Sequence, residues 1–337
     1  MAKIMKVLIV KTSSMGDVIH TLPALTDAAN AFPGISFDWV VEEGFQEIPH
    51  WHPNVDKVIP IAIRRWRKNI IHTLKSGEWS RYTSDLKAES YDAIIDAQGL
   101  LKSAILVSRL ANGTSYGLDK ASAKEPLASH FYDHGIRVSK QLHAVERIRQ
   151  LFAQALHYPL TEEKGNFSIR QHFQTDHSLD TPYLVFQHST TRFDKHWPEA
   201  YWASLISITG NAGWDIKLPW GNHEEKARAE RLAQQHRHVE VLPKLSLSEV
   251  AGIIAKASAC VSVDTGLSHL AAALDTPNVI LFGPTDPGLV GGYGKNQYCL
   301  EAKDYPANKI DIEPKIFAPL TPEIVWNKLQ SLITPTN

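Results

Sequence analysis

Cysteine is nearly absent from this chain: Cys260 and Cys299 are the only two among 337 residues. Two thiols build no disulfide framework, and Cys260, inside the apolar run Ala259-Cys260-Val261-Ser262-Val263, reads as a buried strand residue. An excess of charge of one sign is also missing. Lys and Arg total 35 against 36 Asp and Glu, a formal net charge of −1. No global basic field exists to hold nucleic acid, so an anionic partner must be met by local patches. Nowhere do about 18 apolar residues run unbroken, as a membrane-spanning helix requires. Lys6-Val7-Leu8-Ile9-Val10 is too short for a signal segment, and no small-residue cleavage site follows it. The expected setting is cytoplasmic, with peripheral contact to a membrane surface.

Familiar nucleotide and metal motifs are missing too. The glycine fingerprint G-x-G-x-x-G and the P-loop spacing do not occur, which argues against a dehydrogenase and a P-loop enzyme. No two aspartates stand two apart, no H-E-x-x-H is present, and the cysteines are distant. No metal ligand set and no resident cofactor are therefore expected.

What remains is an ordinary folding composition, 43% hydrophobic and 21% charged, long enough for two α/β cores. Short β-branched runs alternate with helical patterns, which predicts parallel strands joined by crossover helices. Strands are predicted at Lys6–Val10, Phe37–Val41, Lys57–Ile61 and Tyr91–Ile95. One continuous helical face carries Val18, Leu22, Leu25 and Ala28, and further helices are predicted near Leu100–Leu110 and over His143–Leu156. The polar stretch Ser168–Thr181 reads as a linker, after which the alternation restarts. The reading is a doubled Rossmann-type layout: residues 1–170, residues 171–320, and a last helix in 321–337 whose docking place the sequence does not give.

Five segments carry residues suited to chemistry. Asp17, in Lys11-Thr12-Ser13-Ser14-Met15-Gly16-Asp17, follows a strand and opens a helix, at the sheet edge where open α/β folds place ligands. Its carboxylate is either a general base or a helix cap. Asp264-Thr265-Gly266-Leu267-Ser268-His269 repeats the strand-to-helix geometry, so Thr265 and Gly266 present backbone N–H groups to a diphosphate, with His269 one turn on. The alternative is a capped helix with a satisfied histidine. Ser189-Thr190-Thr191-Arg192-Phe193-Asp194-Lys195 offers hydroxyls and an ammonium to phosphate oxygens, or is a surface loop. Beyond Trp220, Glu224 either accepts from ribose hydroxyls or begins its helix. Arg64-Arg65-Trp66-Arg67-Lys68 places four cations around an indole, an anion site or a solvated face, and Lys102 and Lys124 extend the same basic wall if the fold gathers them.

In order along the chain, Lys11–Leu25, Arg64–Lys68, Asp96–Leu100, Asp194–Pro198, Lys217–Gly221, Val261–Leu270 and Phe282–Asn296 resemble the ADP-heptose–lipopolysaccharide heptosyltransferases of glycosyltransferase family nine. The resemblance covers Lys6 to about Gln297. It implies a GT-B fold, two Rossmann-like domains facing across a cleft, and an inverting transfer of heptose from ADP-heptose to a Kdo of Kdo2-lipid A without an essential metal. It places Asp17 at the catalytic position. It implies donor contacts from Thr190, Thr191, Lys195, Glu224, Leu245, Asp264, Thr265, Gly266 and His269, with Leu245 standing where the family suggests methionine. Acceptor anions fall to Arg64, Arg65, Arg67, Lys68, Lys102 and Lys124. The second heptosyltransferase of the pathway, a nucleotide-sugar epimerase and a non-catalytic two-lobed binding protein are the alternatives.

Overall fold

The computed structural model describes residues 5–173, 181–308 and 310–333. Contacts divide the chain into two compact units, Met1–His172 and Phe173–Asn337. Most of the polar linker stretch, residues 174–180, lies outside the described residues.

The first unit runs β1 (Lys6–Val10), α1 (Met15–Ile19), α2 (Leu22–Ala31), β2 (Ser36–Glu42), α3 (Glu47–His50), β3 (Val55–Ile61), α4 (Ile63–Trp66), α5 (Ile70–Lys75), α6 (Glu78–Lys87), β4 (Ser90–Asp96), α7 (Leu101–Ser103), β5 (Asn112–Leu118), β6 (His134–Ile136) and α8 (Ala144–Leu156). All pairings are parallel, in the order β3-β2-β1-β4-β5-β6. β1 is central: Ile9 lies beside Trp39 of β2 and Ile95 of β4. Val7 through Val10 are fully buried, as expected of a parallel strand covered on both faces, and this is why its sequence is an unbroken apolar run rather than an alternating one.

The second unit repeats the scheme with β7 (Tyr183–Gln187), α9 (Glu199–Asn211), β8 (Asp215–Leu218), α10 (His223–Ala233), β9 (Val239–Val241), α11 (Leu247–Lys256), β10 (Ala259–Val263), α12 (Gly266–Ala273), β11 (Asn278–Phe282), α13 (Pro287–Val290), β12 (Gln297–Glu301) and α14 (Pro322–Ile333). Its order is β12-β11-β10-β7-β8-β9. Counted from β7, that is the same 3-2-1-4-5-6 sequence of strands as in the first unit, the doubly wound Rossmann order. The core gathers Phe186, Trp197, Trp202, Leu205, Val261 and Leu281. The terminal helix α14 buries Val325 and Leu329 in that core, so it docks on the second unit's own layers. Cys260 is fully buried in β10, and burial pushes its thiol well above the usual range.

Three local expectations change. The face running from Val18 to Ala28 is two helices, because the chain turns at His20–Thr21 between α1 and α2. The predicted helix near Leu100–Leu110 is α7 followed by a π turn over Ala104–Ser108. The wider π turn lets Ser103 and Ser108, five residues apart, both donate to the buried Asp96 carboxylate. β5 escaped notice because it carries glycine where apolar residues would signal a strand: a Cβ on Gly117 would come within 2.3 Å of the Tyr132 ring.

Candidate active site

In each unit the strand order reverses once, between β1 and β4 in the first and between β7 and β10 in the second. Beyond the carboxyl ends of such a strand pair the connecting helices diverge to opposite faces and leave a crevice. The sequence-predicted residues Thr190, Lys195, Asp264 and Thr265 lie on the segments that leave β7 and β10, and Asp17 lies in the first turn of α1, directly after the loop that leaves β1.

In the first unit, Lys11 to Ser14 link β1 to α1, and Ala97 to Leu100 leave β4. The two loops are tied together. Gln98 Oε1 accepts from Thr12 N (2.8 Å), Ser13 N (3.1 Å) and Thr12 Oγ1 (3.2 Å). Lys11 Nζ donates to the Ala97 carbonyl at 2.8 Å. Gln98 is held by its own loop: Asp96 Oδ1 accepts from Gln98 N and Gly99 N, and Gly99 takes a left-handed φ of 64° that glycine adopts without strain. Asp96 is fully buried, and desolvation raises its carboxyl above the usual range against these donors.

Asp17 answers both readings of its position. Its Oδ2 accepts from Ser14 N (2.9 Å) and Ser14 Oγ (2.8 Å), which is a helix cap. Its Oδ1 lies 3.9 Å from Lys11 Nζ, and the side chain is 48% exposed. The cap fixes the carboxylate in direction while leaving it open to solvent. Lys11 is the group the sequence reading passed over. Its ammonium is buried beneath the loop, and desolvation lowers its pKa; Asp17 and Asp96 oppose that shift, whereas Arg147 and Lys124 add to it. Its signal was in plain view, a lysine closing a fully apolar strand. Arg147, from α8, donates to Ser122 O at 3.0 Å and was also missed.

The basic wall needs correction. Trp66 is buried, not framed by cations: its indole N–H donates to Glu78 Oε2 at 2.7 Å. Arg65 is claimed by two carboxylates, Glu43 at 3.1 Å and Glu78 at 2.8 Å, so it is not an open anion ligand. Periodicity could not show this, because both acids come from other segments. Arg64, Arg67 and Lys68 are exposed. Lys124 sits by the β4 loop, its backbone N 3.7 Å from the Cβ position of Gly99. Lys102 follows Leu101, whose N–H donates to Glu125, the neighbour of Lys124. The fold brings Lys102 and Lys124 to the Gln98 side of the crevice.

In the second unit, Thr190 Oγ1 donates to the Asp264 carbonyl at 3.1 Å, and Lys195 Nζ lies 2.5 Å from Asp264 Oδ2. The loops after β7 and β10 are thus joined across the switch point, as in the first unit. Asp264 and His269 are buried, and Lys195, Thr265 and Gly266 are half-buried. Thr265 is the N-cap of α12, so the first turn of that helix starts directly after Asp264, with Ser268 N donating back to the Thr265 carbonyl at 3.1 Å. Thr191 is exposed. Glu224, in the first turn of α10, is exposed as well; its neighbour Glu225 does the local work, accepting from Gly221 N at 2.6 Å. Leu245 is half-buried in the loop before α11. Behind this edge His188 is fully buried, and desolvation lowers its pKa to about 3. Among the described residues no group of three or more His, Cys, Asp and Glu could hold a metal ion.

Two Rossmann-type units, one presenting an oriented carboxylate at its switch point and the other an ammonium, hydroxyls and a helix N-terminus, are the parts of a GT-B fold, and the comparisons with known proteins make this chain a glycosyltransferase of that class. The chain belongs to glycosyltransferase family 9: the family model described as Glycosyltransferase family 9 (heptosyltransferase) matches residues 79–317. It is 59% identical over 294 residues to lipopolysaccharide heptosyltransferase 1 of Salmonella typhimurium, covering 87% of this chain and 93% of the relative. It is similar to the structure of E. coli heptosyltransferase WaaC with ADP, with a TM-score of 0.91, 53% identity, and 97% and 100% of the two chains covered. The same enzyme with ADP-2-deoxy-2-fluoro heptose matches with a TM-score of 0.88 and 52% identity over 97% and 99%.

Proposed function

We propose that this enzyme transfers a heptose from ADP-heptose to a Kdo hydroxyl of Kdo2-lipid A, in the lipopolysaccharide inner core, with inversion at the anomeric carbon. The observation that carries the reading is near-full-length similarity, at 52% identity, to a heptosyltransferase solved with a fluorinated ADP-heptose.

The chemistry follows from the two crevices. Asp17 takes the proton of the acceptor hydroxyl as its oxygen attacks the anomeric carbon on the face opposite ADP, so the bond to ADP breaks and the configuration inverts. Charge grows on the departing diphosphate. Lys195 has three N–H donors and can keep one on Asp264 while another meets a phosphate oxygen, and the first turn of α12 supplies backbone N–H groups. Thr190, Thr191, Glu224, Leu245 and His269 complete the donor site in this reading. Arg64, Arg67, Lys68, Lys102 and Lys124 meet the acceptor's anionic groups. The diphosphate's charge is assigned to protein groups rather than to a metal, so turnover should persist in EDTA.

The test is an assay of the purified enzyme with ADP-heptose and two acceptors, Kdo2-lipid A and its singly heptosylated product. Heptose transfer to the first, with ADP released in equal amount, is expected. Transfer only to the second would assign the later step. Epimerised donor, or binding without ADP release, would overturn the reading.

A further inference from the structure

We propose that α5 and the cations around it form a membrane-docking face, on which Ile70, Ile71 and Leu74 enter the headgroup–acyl boundary of an anionic bilayer while Arg64, Arg67, Lys68 and Lys75 hold its phosphates. The proposal rests on the reading above in one respect: Arg64, Arg67 and Lys68 meet the anionic groups of a lipid-borne acceptor at the same surface on which they meet the bilayer's phosphates, whereas Ile70, Ile71, Leu74 and Lys75 act on the bilayer alone.

Large aliphatic side chains rarely stand open in a cluster on a soluble surface. Here Ile70 is 62% exposed, Ile71 68% and Leu74 60%, more than most large hydrophobic side chains of the chain. At 100° per residue the three fall within one 100° arc of the helix, with Leu74 between the isoleucines. The helix is built, not frayed: Asn69 caps it by accepting from His72 N at 3.1 Å, and Thr73, its one buried residue, faces the protein. Its platform is firm as well. Trp66 lies edge-on to Trp79 and Tyr82, with ring centroids 5.9 and 5.5 Å apart, and its indole is tied to Glu78.

Charge decides the partner. Residues 62–78 contain five Lys and Arg against one acidic residue, Glu78. Arg65 consumes that carboxylate together with Glu43, so Arg64, Arg67, Lys68 and Lys75 stand exposed with no acid among the described residues paired to them. An aliphatic ridge rimmed by cations fits a surface that is apolar below and anionic above, which is the profile of a bilayer with acidic headgroups. A second copy of this chain fits poorly, because symmetric pairing would press the same four cations against themselves.

The experiment is vesicle flotation of the full-length enzyme without acceptor or donor. Vesicles of equimolar phosphatidylglycerol and phosphatidylethanolamine are compared with pure phosphatidylcholine. The wild type should float with the anionic vesicles and be released by salt. The triple variant Ile70→Ser, Ile71→Ser, Leu74→Ser should bind them about tenfold less tightly, with unchanged turnover on a fully deacylated, water-soluble acceptor. Exposed sites accept serine without loss of core, so the variant remains folded. Equal binding of wild type and variant would overturn the proposal, as would equal flotation with phosphatidylcholine. A rise in KM for the deacylated acceptor would place the ridge in the acceptor site instead. Loss of a dimer in sedimentation velocity would identify the occupant as a second copy.

Discussion

At Asp17 one side chain performs two tasks with its two oxygens. Oδ2 is spent on Ser14, and Oδ1 faces Lys11. Asp17→Asn keeps an acceptor for the cap and removes the base. It should lower kcat by about 10²–10⁴-fold, with calorimetric affinity for ADP-heptose essentially unchanged; near-normal turnover would dismiss Asp17 as the base. In the proposed reading Lys11 tunes that base. An ammonium 3.9 Å away stabilises the ionised carboxylate, so its loss favours the protonated form. In Lys11→Met the acid limb of kcat/KM should therefore move to higher pH, by about one unit for an interaction of roughly 1–2 kcal/mol. An unmoved limb in a folded variant would leave Lys11 a purely structural strut. The cap that Asp17 makes was legible in the sequence because its motif is local. The Arg65 pairing was not, because Glu43 and Glu78 reach it from other segments and no spacing rule links them.

Strands and helices were legible wherever burial leaves a one-dimensional trace. β1 and β10 emerge at the limits of their apolar runs, since strands covered on both faces read as near-continuous apolar stretches. β5, β6 and β12 lie away from the sheet centres, where that trace weakens. The loops carry another kind of order. One oxygen of Gln98 serves three donors of the loop that delivers Asp17, and nothing in the residue order announces it. Gln98→Leu strands Thr12 N–H and Ser13 N–H, and should cut kcat by about tenfold through misplacement of the base while leaving donor affinity intact. Gln98→Glu, which retains an acceptor, should recover most of the loss. Equal loss of donor affinity would mean that the clamp supports the fold rather than the base.

For the whole molecule, each unit buries a histidine in its neutral form. His52 Nδ1 accepts from Asn54 N, so Nε2 carries the proton and donates to Thr26 Oγ1; burial lowers its pKa to about 4. His188 is lowered to about 3. Unfolded histidines protonate near the ordinary value of 6.5, so as pH falls below that point the unfolded state binds protons that the folded state refuses. Stability should decline with acidification, each histidine contributing a slope of up to about 1.4 kcal/mol per pH unit. Urea denaturation from above pH 6.5, where unfolded histidines begin to protonate, down to about pH 4, the folded value of His52, measures it, and His52→Gln should flatten the slope by about one proton's worth. An unchanged slope would show that His52 is not the proton-refusing group.

The two sheets share one strand order, and their switch points carry mirrored electrostatics. At the first, an ammonium is sunk beneath the loop and a carboxylate is held out to water. At the second, a lysine comes forward from the loop after the leading strand, and the aspartate steadies it from behind. A single topological address therefore carries an exposed carboxylate beside a buried lysine in one copy and a lysine held by a buried aspartate in the other. In the reading proposed above, exchanging the member of the Lys–Asp couple that meets solvent turns the same scaffold from the proton-accepting half of a displacement reaction to the anion-receiving half.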